Sequence, residues 1–158
     1  MGHTNVVRTL IEAAANIEVV GEEGVTPLIL AATNGFDSVI DELAKADPTA
    51  VDDQGWIALH YAAQNGHVAV VQSLLIVDGI DVDTSYNSIT TLYLAMGDGE
   101  VEILKEFLEH KVNIEIDLGE KLLILVISQH HCSVVKVLDA GANLSALLRH
   151  MHDVSSNR

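Results

Sequence analysis

Eight histidines and one cysteine are the side chains of this 158-residue chain with the most obvious chemistry. His130-His131-Cys132 and His150-Met151-His152 supply metal-ligand types, but zinc sites usually show paired spacings such as Cys-x-x-Cys, and nothing here repeats one, so no metal is expected. Cys132 has histidines beside it in sequence. Neighbours along a helix point around its axis rather than at each other, so a small packed hydrophobe is the better reading than an activated nucleophile. The glycines recur at regular intervals instead of clustering into a phosphate-cradling loop. No catalytic residue, no cofactor and no enzyme activity are expected.

Charge narrows the partners. Twenty-three acidic against eight basic side chains give a net charge of −15, which repels phosphate backbones and anionic lipid surfaces. A nucleic-acid or membrane role is therefore not expected. The longest apolar run, Leu122 to Ile127, is far shorter than the roughly 20 residues that span a bilayer, and the N-terminus has no basic region leading into an apolar one. A lone cysteine points to a reducing compartment, hence an intracellular and by default cytoplasmic protein. With 49% hydrophobic residues the chain has ample material for a core.

The elements that must position any site follow from a repeat. A glycine, two or three spacers and a Val/Ile/Leu pair recur at Gly2, Gly35, Gly66, Gly99 and, in degenerate form, His130, in steps of 33, 31, 33 and 31. Eleven residues upstream of the last four stand Gly24, Gly55, Ser88 and Gly119. Each unit therefore reads as turn, short helix, glycine turn, longer helix, loop. Thr26 and Thr90 stand where a side-chain oxygen can cap the first helix, and Pro27 takes a first-turn position that needs no donor. Ala31-Ala32 and Ala62-Ala63 let helices approach closely. Val70, Val71, Leu74 and Leu75 make a stripe that one unit cannot bury alone, so the units must stack.

These motifs, above all "LHYAAQNGHVAVVQSLL" at 59–75, resemble the ankyrin repeat family, whose pattern runs Gly-x-Thr-Pro-Leu-His, an Ala-Ala pair, a Gly-His turn and a Val-Val-x-x-Leu-Leu helix. The resemblance implies an all-α repeat solenoid of stacked ankyrin helix-turn-helix units joined by β-hairpin-like loops. One domain over 1–152 is expected, with a partial repeat at 1–20, full repeats at 21–51, 52–84, 85–115 and 116–143, a C-terminal cap at 144–152 and a tail at 153–158. The fourth repeat departs most, reading "KLLI" with His130 in place of the turn glycine, and its "LLILVI" run is the segment most prone to aggregate. His60 is expected to be buried and bonded to backbone near its helix start. Because Met1-Gly2 begins inside a repeat, Val6, Val7, Leu10 and Ile11 are expected to lack part of their cover. This is a route to self-association through an uncapped N-terminal end, or the mark of a segment of a longer array.

The resemblance also implies where a partner binds: on hairpin fingertips and on the exposed first-helix ends beside them. By position the fingertips are Glu22, Glu23 and Val25; Asp53, Gln54 and Trp56; Tyr86, Asn87 and Ile89; and Asp117, Leu118 and Glu120. The helix ends add Thr33 and Asn34, Gln64 and Asn65, Gly97 and Asp98, and Ser128 and Gln129. The segments 18–25, 50–57, 81–89 and 113–120 hold ten acidic and no basic side chains, which favours a basic partner segment over a merely solvated edge. Trp56 and Tyr86 are either exposed aromatic anchors on this ridge or, for Trp56, packing against a neighbouring hairpin. Positions where family members carry a hydroxylatable Asn hold Glu18, Asp52, Asp83, Glu115 and Ser145, so that modification is not expected. The expected function is a non-catalytic protein–protein interaction scaffold. A regulatory inhibitor acting through the same ridge, or a structural spacer of a longer array, is the alternative.

Overall fold

The computed structural model describes residues 3–86, 89–97 and 100–110. Helices fall into two rows. The inner row holds α2 (Pro27–Thr33), α4 (Ala58–Gln64) and α6 (Thr91–Gly97), each packed on the next. The outer row holds α1 (Thr4–Glu12), α3 (Asp37–Glu42), α5 (Val68–Leu75) and α7 (Val101–Glu109), packed in the same serial way. Within a unit, α2 lies on α3, α4 on α5 and α6 on α7. This is the expected all-α solenoid. One short antiparallel hairpin, β1 (Ser85–Tyr86) with β2 (Ile89–Thr90), runs into α6 with Tyr86 opposite Ile89.

Local chemistry starts the three inner helices. Thr26 Oγ1 accepts from the N–H of Ile29 at 3.2 Å, and Thr90 Oγ1 accepts from that of Tyr93 at 3.1 Å, so each fills a donor that a helix start leaves open. Ile57 stands at the same place before α4 and has no capping oxygen. There the buried His60 ring takes over, its Nδ1 accepting from the Ile57 N–H at 3.3 Å.

The turns between inner and outer helices use Gly35 and Gly66 at φ of 70° and 71°, a region where a Cβ is strained. They also admit the next unit: a Cβ on Gly35 would meet the His67 ring at 2.7 Å, and one on Gly66 the Glu100 carboxylate at 2.9 Å. The core is the shared stripe of both rows, including Leu28, Ile29, Ile40, Leu59, Val70, Val71, Leu74, Leu92, Ile103, Leu104 and Phe107. The short units make this burial collective. No six- to nine-residue helix could hold itself together in water, so each relies on its neighbours. The "LLILVI" run, the "HHC" and "HMH" clusters and the expected fourth repeat and cap lie outside the described residues.

Candidate partner-binding ridge

Two fingers of the ridge are described with their side chains, and backbone bonds tie them together. The first closes by Gly21 N–H donating to the Val25 carbonyl at 2.9 Å, the second by Asp52 N–H donating to the Trp56 carbonyl at 3.1 Å, the same pair of positions one repeat later. Asp53 N–H then donates to the Glu23 carbonyl at 3.0 Å, across the fingers. Glu23 sits in the left-handed region at φ 58°, and Gly24 follows at 77°. Gly24 has no room for a side chain, because a Cβ would lie 2.7 Å from the Asp53 nitrogen. Glu22, Glu23, Asp53 and Gln54 are exposed, and Val25 is half-buried.

The second finger is fixed by a carboxylate. Asp52 is buried; its Oδ1 accepts from the N–H groups of Gln54 and Trp56, both at 2.9 Å, and its Oδ2 accepts from the Tyr61 hydroxyl. Asp52 is thus a member of the acidic row by sequence but not by surface, and the charge available to a partner on these two tips is Glu22, Glu23 and Asp53. Trp56 is likewise not a freely projecting aromatic. It is half-buried, with its ring centroid 5.1 Å from that of Tyr61 and 5.7 Å from that of His60, so it packs on α4 of its own repeat.

Asp52 and Tyr61 are the ridge residues that sequence reasoning passed over as a pair. Their signal was present in the Asp three places before a turn glycine, which is the acceptor position of a tight turn.

Burial first, then the hydrogen bond to Asp52 and the negative charges of Asp52 and Glu23, push Tyr61 up to about 12. A folded-state value above the unfolded one, about 10, means that the contribution to stability is complete below pH 10 and is lost as pH rises toward 12. The alkaline absorbance titration of the chain should therefore show a late phenolate step near 12 that Tyr61→Phe removes. A titration unchanged by that substitution contradicts the arrangement.

The helix ends beside the fingers are partly occupied by the stack itself. The Thr33 carbonyl lies 3.1 Å from His67 Nε2 and accepts from Asn65 Nδ2 at 3.4 Å, while the Thr33 hydroxyl donates to the Ile29 carbonyl. Asn65 Nδ2 also donates to the Tyr61 carbonyl, and Asn34 Nδ2 to that of Leu30. Thr33 is half-buried, whereas Asn34, Gln64 and Asn65 are exposed. Tyr86, Ile89 and Gly97 take their places on the hairpin and at the end of α6. Asn87, Asp98, Asp117, Leu118, Glu120, Ser128 and Gln129 lie outside the described residues. Among the described residues no cluster of three metal-ligand types occurs, and no helix is long and apolar enough to cross a membrane.

Comparison with known proteins agrees with this architecture. The family model for ankyrin repeats in three copies matches residues 1–86, more than half of the chain. Similar stretches occur in glycerophosphocholine phosphodiesterase GDE1 of Candida albicans, 37% identical over 79 residues, covering 48% of this chain and 7% of that protein. Alpha-latrotoxin-Lg1a of Latrodectus geometricus is 33% identical over 120 residues, 72% of this chain and 8% of the toxin. Ankyrin repeat and KH domain-containing protein mask-1 of Caenorhabditis elegans is 32% identical over 143 residues, 87% of this chain and 6% of its own length. The chain thus spans under a tenth of each of these relatives. Ankyrin repeats are in general protein–protein interaction modules and are typically non-catalytic. With two rows of stacked helices, threonine-capped starts, glycine turns seated under the next unit, and this match, the chain belongs to the ankyrin-repeat family.

Proposed function

We propose that the chain is a non-catalytic interaction module whose acidic ridge takes a basic segment of a protein partner. The observation that carries this reading is the row of exposed Glu22, Glu23 and Asp53 on two fingers locked side by side by the Asp53–Glu23 backbone bond. A rigid row of like charge attracts an extended Lys- or Arg-rich segment and loses little entropy on doing so. Asn34 and Gln64 on the adjoining helix ends add exposed amides for its backbone. Inhibition of an enzyme would use the same contacts with a different partner. The lone cysteine supports an intracellular setting for this activity.

The test is capture from a cell lysate at low and high salt by the parent chain and by a Glu22→Gln, Glu23→Gln, Asp53→Asn variant. Trp56→Ala is a poor probe, because the ring packs on His60 and Tyr61 and its loss would loosen the finger. The expected result is basic proteins held by the parent, released by salt and absent from the variant. Identical capture by both chains would overturn the ridge as the site.

A second reading, self-association through the N-terminal end, is favoured by one observation: Val6 and Leu10 of α1 stand more than half exposed.

A further inference from the structure

The fingers carry a second row beside the acidic one. Val20 and Val51 stand one residue ahead of the closing bonds that Gly21 and Asp52 make, the same place on each finger, and are 62 and 54% exposed. Singly exposed apolar residues are ordinary on a protein surface. These two repeat in register on fingers that touch, since a Cβ on Gly24 would lie 2.9 Å from the Cα of Asp52, the residue after Val51. Val51 belongs to a middle repeat, whose α4 packs on both α2 and α6, so its openness is a property of the finger and not of an end of the stack. On the second finger the exposed Val51 and Asp53 flank the buried Asp52, and on the first the exposed Val20 and Glu22 flank Gly21. Two short rows therefore run across the fingers, Val20 with Val51 and Glu22 with Asp53. On the third finger Tyr86 pairs with Ile89 and Ser85 takes the place of the valines, which ends the apolar row.

We propose that the segment taken by the ridge is an extended one that alternates Lys or Arg with aliphatic residues, and that Val20 and Val51 select its aliphatic half. This rests on the ridge reading and narrows it to one class of partner. An extended chain lying across the fingers sends successive side chains to opposite sides. Its basic side chains then meet Glu22, Glu23 and Asp53, and its aliphatic ones meet Val20 and Val51. Opposite charge brings the segment in, and salt screens that attraction. Burial of aliphatic surface is not screened, so it separates this partner from any other basic segment.

The valines do not hold the fingers together. The Gly21–Val25 and Asp52–Trp56 backbone bonds close each one, the Asp53–Glu23 bond joins them, and the Asp52 carboxylate fixes the second turn. Replacing Val20 and Val51 by serine therefore leaves the acidic tips in place and removes only the apolar row.

Two labelled peptides of equal length and charge, one alternating Lys with Val and one alternating Lys with Ser, test this by fluorescence anisotropy at low and high salt. The parent is expected to hold the Lys-Val peptide about tenfold more tightly than the Lys-Ser peptide, with the ratio kept at high salt while both affinities fall. Val20→Ser, Val51→Ser should bring the two peptides level, whereas Ile76→Ser, at an apolar residue 78% exposed at the end of α5, should keep the ratio. Equal binding of the two peptides by the parent, or a ratio that survives Val20→Ser, Val51→Ser, overturns the apolar row and leaves the acidic ridge standing. A parent that binds neither peptide, or a Glu22→Gln, Glu23→Gln, Asp53→Asn variant that binds both as the parent does, overturns the ridge reading and this inference with it.

Discussion

Gly24→Ala is expected to destabilise the chain by about 2–4 kcal/mol, about 1–2 from a left-handed backbone and the rest from overpacking. The residue sits at φ 77°, and an added Cβ would lie 2.7 Å from the Asp53 nitrogen and 2.9 Å from the Asp52 Cα. These are backbone atoms of the next finger, held by the Asp53–Glu23 hydrogen bond, so relief requires the two fingers to part. Gly79 is the internal control. Its φ is 91°, yet nothing lies within 4 Å of its would-be Cβ, so Gly79→Ala carries only the backbone strain, about 1–2 kcal/mol. Urea unfolding of the two variants should separate them. Equal losses would contradict the close approach of the fingers.

Leu74→Ala is expected to cost about 2–5 kcal/mol, the range for emptying a closed core site, and Leu10→Ala about 1 kcal/mol or less, the range for a surface change. The two leucines hold the same register position in α5 and α1, and the sequence leads to the expectation that Leu10 lacks part of its cover. Cover decides. Leu74 is fully buried where α4 lies over α5, whereas Leu10 has water on its open face. Thermal or urea unfolding of both variants measures the difference, and similar losses would contradict the contrast in burial.

Most of the fold was legible because repetition turns weak local signals into strong ones. Thr26 alone is a possible cap. Thr26 and Thr90 in the same register, each ahead of a short apolar helix, read as one device used twice, and both oxygens accept the expected N–H. His60 was legible for the same reason, since its position in the pattern implied burial.

The ridge was less legible, because exposure within a finger depends on the path of a few backbone bonds. Counting carboxylates set Asp52 beside Glu22 and Glu23. The turn instead directs Asp52 inward, where the Gln54 and Trp56 N–H groups and the Tyr61 hydroxyl take its oxygens. Trp56 was open between an anchor and packing, and its ring neighbours Tyr61 and His60 come from the following helix. The bonds from His67 and Asn65 back to the Thr33 carbonyl join adjacent repeats, and no single-repeat pattern announces them.

Trp56 is the only tryptophan and belongs to the second finger, three residues after Asp53, so its emission reports on the ridge. The most direct measurement is a titration of the chain with an extended Lys- and Arg-rich peptide at about 0.05 and about 0.5 M salt, followed by Trp56 fluorescence. Two charge-matched variants run beside the parent: Glu22→Gln, Glu23→Gln, Asp53→Asn on the ridge, and Asp37→Asn, Asp41→Asn, Glu109→Gln on exposed outer-row positions. Binding at the ridge predicts a saturable change in the parent that weakens at high salt, is lost in the ridge variant and persists in the outer-row variant. Equal weakening in both variants would show attraction to the overall charge of −15 rather than to the ridge, and would contradict the assignment.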